Sequence, residues 1–283
     1  MVWLKSFLKD ARHFQILYLS IFIGYGMLNL NWQDHITYFW SAISTALLTQ
    51  AIFSLWKLNE IKGLKSAAIT ALGICLLLRT NSELVMAFAA FIGIAAKFML
   101  RINNKHLFNP SNIGIIILLI ITDSAWISPG QWGNDVVLLF MVIATGSIVL
   151  LKVGRLDVTY IFLGSLFVME YVRTVLFLGW GMDVLLHKFT SGSLLLFAFF
   201  MITDPKTTPD NKSYRYFWTL LLAMLTFALS QWFYLYTSSI WALFLITPFT
   251  VLIDKFFPAK RFVWYKSQDK INPLLGLTNK STI

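Results

Sequence analysis

Cysteine occurs once in this sequence of 283 residues, at Cys75, and histidine four times, at His13, His35, His106 and His187. One thiol excludes an internal disulfide and a four-thiolate metal cluster. Cys75 lies in an apolar stretch and reads as a packed core thiol. The four histidines fall in separate loops and give no zinc spacing. No Ser–His–acid set and no phosphate-cradling glycine loop occurs along the chain. Charge is scarce as well: Asp, Glu, Lys and Arg make up 13% of the residues, against about 25% in soluble domains. These shortages argue against a self-contained hydrolase, kinase or metalloenzyme, so neither a catalytic residue nor a metal ligand is expected.

Apolar residues dominate instead, at 58% hydrophobic, 16% aromatic and a mean hydropathy of +0.70. At about 20 residues per crossing, the chain has room for about ten spans and short connections, and none for a separate soluble domain. The expected fold class is an all-α integral membrane protein, a single polytopic domain over 1–283. Its membrane core is expected over about 14–257, with a basic cytoplasmic tail over 258–283. Residues 1–13 read as a basic, amphipathic lead-in and not as a cleaved signal. Apolar runs place spans near 14–30, 36–56, 67–78, 84–100 and 112–121. Five more fall near 136–151, 158–178, 185–202, 217–233 and 239–256. The third and fifth are too short to cross about 30 Å at 1.5 Å per residue, so some spans are expected to be short or broken.

The net charge of +10 forms no continuous patch, which argues against nucleic acid as a partner. The basic residues recur at the ends of alternate spans: Lys57, Lys62 and Lys65, then Lys97, Arg101 and Lys105, then Lys152 and Arg155, then Lys206, Lys212 and Arg215. Asp34, Glu83, Asp123, Asp135 and Asp183 occupy the opposite loops. By the positive-inside rule both termini are cytoplasmic. Trp and Tyr gather at the span ends as an aromatic belt, and the basic tail with Trp264 and Tyr265 is expected along the anionic inner leaflet.

Three segments on the cytoplasmic side carry the chemistry. Asn109-Pro110-Ser111-Asn112 opens an apolar run, with Asn suited to cap a helix and Pro tolerated in its first turn. A helix N-terminus at membrane depth offers free N–H donors to a phosphate, a carboxylate or a flavin carbonyl. Asp204-Pro205 and Thr207-Thr208-Pro209 end another apolar run with clustered hydroxyls and helix breakers. Ser66-Ala67-Ala68-Ile69-Thr70 opens the short third span with small residues, suited to close helix packing or to a planar ligand. The same short span ends in Arg79, and in the seventh span Glu170 and Arg173 are spaced i, i+3, suited to pair on one helix face.

Taken together, these segments resemble the D subunit of the Rnf electron-transport complex and the related B subunit of sodium-translocating NADH:quinone reductase. The resemblance rests on Ser66-Ala67-Ala68-Ile69-Thr70-Ala71-Leu72, on Phe108-Asn109-Pro110-Ser111-Asn112-Ile113-Gly114, and on Ser191-Gly192-Ser193 followed by Phe199-Phe200-Met201-Ile202-Thr203-Asp204-Pro205. It extends over about 65–258 and is close to the stand-alone Rnf D-like proteins of the UnbU type. It implies a ten-helix subunit of the bacterial cytoplasmic membrane that works with other membrane or redox subunits. It also implies a flavin, FMN or riboflavin, held without a covalent bond. In the full complexes one FMN is linked to a Thr in a Ser-Gly-Ala-Thr motif; the outer connection here, 122–135, reads TDSAWISPGQWGND and lacks it, so a covalent FMN is not expected. The expected flavin contacts are Asn109, Pro110, Asn112, Asp204, Pro205, Thr207 and Thr208, with Ser66 and Thr70 behind them. Two other classes stay open on the residues alone: a transporter or channel for a small polar molecule or ion, and a non-catalytic assembly subunit.

Overall fold

A computed structural model describes residues 10–103, 105–132, 136–262 and 264; the expectations for 1–9 and for the tail beyond 264 lie outside them. Among the described residues, eleven α-helices follow one another with short connections. They are α1 (Ala11–Asn29), α2 (Ile36–Leu58), α3 (Leu64–Leu77), α4 (Glu83–Met99), α5 (Pro110–Ile121), α6 (Val136–Val153), α7 (Leu156–Tyr171), α8 (Met182–Phe189), α9 (Gly192–Leu196), α10 (Lys212–Trp232) and α11 (Ser238–Phe256). Each expected span coincides with one helix, except the eighth, which is the bent pair α8 and α9. The break between that pair turns the chain by 50°. Among the described residues, three helical stretches are long and apolar enough to cross a membrane on their own, Gln33–Leu58, Leu156–Phe177 and Ser238–Phe256, and the bent pair makes a fourth if counted as one span. The protein is an all-α, multi-pass membrane protein.

The two short helices sit at the centre. At 1.5 Å per residue, α3 and α5 reach only about 21 and 18 Å. Backbone in an apolar environment must nevertheless be hydrogen-bonded. Each short helix therefore runs into an extended piece, β1 (Leu78–Thr80) after α3 and β4 (Ala125–Ile127) after α5. The two pair antiparallel, Leu78 opposite Ile127 and Thr80 opposite Ala125. A second small pair, β2 (Arg101–Ile102) with β3 (Lys105–His106), shapes the connection between α4 and α5. Burial follows this plan: Ile74, Cys75, Ile115 and Ile116 on the short helices are fully buried, while Trp40, Ile52, Phe140 and Phe249 on longer ones are exposed, as a lipid-facing surface requires.

Arg79 stands on β1, just past the end of α3. Its Nη1 donates to the carbonyls of Cys75 and Leu78 at 2.7 and 3.1 Å, and its guanidinium lies 4.4 Å from the Trp32 ring. A cation at a helix C-terminus meets unpaired carbonyls and the negative end of the dipole, so the charge is compensated without a carboxylate.

The expected Glu170–Arg173 pair is corrected. Lys188 on α8 donates to Glu170 Oε1 at 2.5 Å, and Gln231 on α10 donates to both Glu170 oxygens at 3.2 and 3.1 Å. Arg173 Nε instead donates to Gln231 Oε1 at 2.9 Å. The cause is local: the helix widens to a π-helix at Val172–Phe177, which changes the angular spacing that an i, i+3 pair needs. Glu170 thus ties the bent α8 to α7 and α10.

Candidate functional site

The start of α3, the start of α5 and the end of α9 converge at one end of the molecule. The π-helical continuation of α9, Phe197–Met201, leads into the 203–209 turn. Asn109 caps α5: its Oδ1 accepts from Asn112 N at 3.1 Å, with Pro110 in the first turn. Its Nδ2 donates to the Met201 carbonyl at 3.2 Å, joining α5 to the end of α9. Ser111 Oγ donates to the Thr70 carbonyl at 3.0 Å, joining α5 to α3. Thr70 Oγ1 in turn bonds back to the Ser66 carbonyl at 3.0 Å.

A cavity opens between these elements. Its volume is about 90 Å³, and it is open to the outside. Ile69, Leu76, Leu77, Leu196, Phe199 and Phe200 give it apolar walls, and Arg12, His106 and Lys206 bring polar groups. Of the nine residues expected to meet a ligand, Ser66, Thr70, Asn109, Pro110, Asp204 and Pro205 line this cavity.

Asn112, Thr207 and Thr208 do not line it. Asn112 Nδ2 donates to the Ile240 carbonyl at 2.9 Å and lies 3.9 Å from Met201 Sδ, so it fastens α5 to α11. Thr207 and Thr208 send their hydroxyls to the Asp204 carbonyl at 3.3 and 3.2 Å. Their own carbonyls accept from Thr250 Oγ1 at 3.0 Å and from Lys105 Nζ at 2.7 Å. These three residues shape the loop, and a hydroxyl that bonds to nearby backbone is the common use of Thr after a helix end.

Several residues at the cavity or just behind it were not among the expected contacts. Lys97, near the end of α4, is buried, and its Nζ donates to Gln50 Oε1 at 2.8 Å and to Ser66 Oγ at 3.1 Å. The sequence placed it among the loop cations. His106 is buried among Lys97, Arg101 and Lys206; burial first and those charges second push its pKa down to about 3, so the ring is neutral. Its signal was present in the sequence, three residues before Asn109 in the same segment. Arg12 at the start of α1 holds Asp10 through Nε and Nη2 at 2.9 and 2.8 Å, and its guanidinium lies 5.1 Å from the Trp264 ring. Trp264 itself lines the cavity, where the sequence suggested the bilayer surface. No local pattern marks that contact, because it joins the two ends of the chain.

Asp204 keeps accessible surface on the cavity side yet is enclosed by protein. Burial raises its pKa above the usual carboxylate range, against the opposing pull of the Lys206 backbone N–H and of the Lys206, Lys97 and Lys105 charges. The folded pKa lies above the unfolded value, so the protonated group stabilises the fold below about pH 3.8, and that contribution is lost as pH rises through the folded pKa. Asn at this position keeps an oxygen for the Lys206 N–H, which Asp204 Oδ1 accepts at 2.9 Å. Asp204→Asn is therefore expected to match the parent in thermal unfolding near pH 4 and to exceed it at higher pH. An offset that does not change with pH contradicts the assignment.

Behind the 203–211 loop stands an ionic cluster. Lys105 Nζ pairs with Asp210 at 3.1 Å and with Asp254 on α11. Asp210 N donates to Asp254 Oδ1 at 2.9 Å, and Arg215 on α10 pairs with Asp157 on α7 at 2.6 Å. The loop that carries Asp204 is thus clamped to α11 through Asp254 and to β3 through Lys105, and Arg215 on α10 donates to its Pro209 and Asp210 carbonyls at 3.5 and 3.4 Å.

No curated protein matches the chain. The model of the NQR2, RnfD, RnfE family matches residues 121–263, half of the chain. The match takes in Asp204, Pro205, Thr207 and Thr208, and the Ser66 and Asn109 segments lie before it. With the short paired helices, the Thr-Asp-Pro turn and this match in view, the chain belongs to the NQR2, RnfD, RnfE family and stands among membrane subunits of redox complexes.

Proposed function

We propose that this protein is a ten-span subunit of the bacterial cytoplasmic membrane, with both termini cytoplasmic, that holds one flavin non-covalently and exchanges electrons with partner subunits. The observation that carries the reading is one cavity, lined by residues from three segments far apart in sequence: Ser66 and Thr70, Asn109 and Pro110, Asp204 and Pro205. The alternation of basic and acidic loops supports this orientation and, with it, a cavity on the cytoplasmic side.

The residues fit the group. An isoalloxazine is flat and apolar on its faces, and Leu76, Leu77, Leu196 and Phe199 offer such walls. Its polar edge needs donors and acceptors, and Ser66, His106 and Asn109 supply them. Arg12 and Lys206 add positive charge suited to a phosphate when the ligand is FMN. Bound there, the flavin would supply the electron-transfer chemistry, and the protein would supply position and electrostatics. Lys97, buried behind Ser66, keeps a positive charge close to the site and favours electron-rich occupants.

Titration of the purified, flavin-stripped chain with riboflavin, and separately with FMN, tests the reading. Binding of at least one of them at micromolar concentration is expected. Ile69→Trp, which fills the cavity, is expected to weaken it at least about tenfold by removing the apolar contact area. Equal binding by the parent and this variant contradicts the location.

A further inference from the structure

A buried lysine in a membrane protein is costly unless its charge is compensated, so each one calls for an explanation. Lys97 is 9% exposed, and among the described residues no carboxylate lies within ion-pair distance of it. Two neutral acceptors hold its Nζ instead, Gln50 Oε1 at 2.8 Å and Ser66 Oγ at 3.1 Å. Gln50 is itself aimed: its Nε2 donates to the Lys62 carbonyl at 2.7 Å, which leaves Oε1 for Lys97. The last turn of α4 adds the negative end of a helix dipole, which is only a partial charge. The arrangement solvates an ammonium and leaves its charge in place.

That charge stands one hydrogen bond behind the cavity wall, because Ser66 lines the cavity. The other charges around the cavity do not cancel it. Arg12 is matched by Asp10 at 2.8 Å. Asp204 is the one carboxylate among the lining residues, and Lys206, two residues further on, lines the cavity as well. Two ammonium groups thus stand against one carboxylate. Lys206 is half-buried, where water screens it, whereas Lys97 is enclosed. A charge acts most strongly where water is excluded.

We propose that Lys97 sets the redox preference of the cavity, making it bind the reduced, anionic form of the flavin more tightly than the oxidised form. The inference rests on the flavin reading above. Two electrons from a partner redox subunit and one proton from water leave the ring with one negative charge, and Lys97 stabilises that charge. It acts through its field across Ser66, with no contact to the ligand. Riboflavin is the probe that isolates the effect, because it carries no phosphate and the ring charge is the only one that changes.

The test measures the midpoint potential of riboflavin bound to the full-length chain in detergent, against free riboflavin in the same buffer. The difference reads the ratio of affinities for the two forms. In the parent the reduced form is expected to bind about tenfold more tightly or better, which raises a two-electron potential by about 30 mV. Lys97→Met removes the charge, and the ratio is expected to fall by about tenfold. Lys97→Arg keeps the charge and is expected to stay within about twofold of the parent. Gln50→Glu leaves Lys97 in place and sets a carboxylate against it, so the ratio is expected to fall in the same direction as in Lys97→Met. This variant decides the matter if Lys97→Met does not elute as a single species. If the parent binds both forms equally, the inference is overturned and the flavin reading stands. If the parent prefers the reduced form and Gln50→Glu and Lys97→Met keep that preference in full, Lys97 is not its source. If riboflavin does not bind the parent at all, both readings fall.

Discussion

Gly114→Leu is expected to yield no monodisperse protein after extraction in detergent. A Cβ at Gly114 would lie 2.4 Å from the carbonyl oxygen of Ala89 on α4, and one at Gly93 would lie 2.5 Å from the carbonyl oxygen of Pro110 on α5. The two backbones therefore touch at two levels, and in both cases the obstructing atom is main chain, which cannot swing aside. Close backbone approach through small residues is how helices pack when lipid supplies no hydrophobic drive between them. Overpacking a fitted core costs about 1–3 kcal/mol in ordinary cases, and Gly114→Ala is expected in that range, seen as a lowered unfolding temperature. Leucine adds three more carbons at a point where one does not fit. Because α5 begins at Asn109 and Pro110, any shift of α5 away from α4 also moves a wall of the cavity. Size-exclusion profiles of the parent, Gly114→Ala and Gly114→Leu check this; a parent-like profile for the leucine variant contradicts the packing.

Lys105→Met is expected to cause the next largest loss. Lys105 is buried, and it is the cation common to Asp210 and Asp254. Removing one partner of a buried ion pair leaves a charge uncompensated and costs about 3–5 kcal/mol. Here two carboxylates are left facing each other across the Asp210 N–H bond to Asp254, although Arg155 Nη2 remains 3.9 Å from Asp210. The lost bond to the Thr208 carbonyl at 2.7 Å adds to the effect and frees the loop that carries Asp204. Replacing the second charge as well, Lys105→Met with Asp254→Asn, is expected to recover part of the loss, because the like-charge repulsion disappears. Thermal unfolding of the parent, both single variants and the double variant measures the coupling. Additive losses would show that the three groups do not act together.

Both predictions concern contacts that single-sequence reasoning does not reach. Lys105 and Asp254 stand 149 residues apart, and a basic residue after a span reads equally well as a topology signal. Lys97 was misread in the same way, since the sequence shows a cation near a helix end and not that Gln50 and Ser66 wait for it. The broad architecture was legible because the bilayer sets span length and loop charge. The apolar runs and the two short central helices follow from that constraint, whereas the 50° break between α8 and α9 has no counterpart in the span expected over 185–202. The cavity was legible in part: Asn-Pro and Asp-Pro announce helix ends, and the ends that converge are those that line it. Asn112, Thr207 and Thr208 carry the same local chemistry as Asn109 and Asp204, and only the packing of α11 and Lys105 against them turns them away from the cavity. For His106 the only local signal is its place three residues before Asn109, because a histidine without metal or acid spacing carries no pattern of its own.

The central claim is that this cavity holds a flavin without a covalent bond. Acid precipitation of the freshly purified, full-length protein, followed by separation and fluorescence of the supernatant, tests it most directly. The account predicts close to one equivalent of riboflavin or FMN released per chain, with no flavin fluorescence left on the denatured polypeptide. A supernatant without flavin, or fluorescence that stays with the chain, contradicts it.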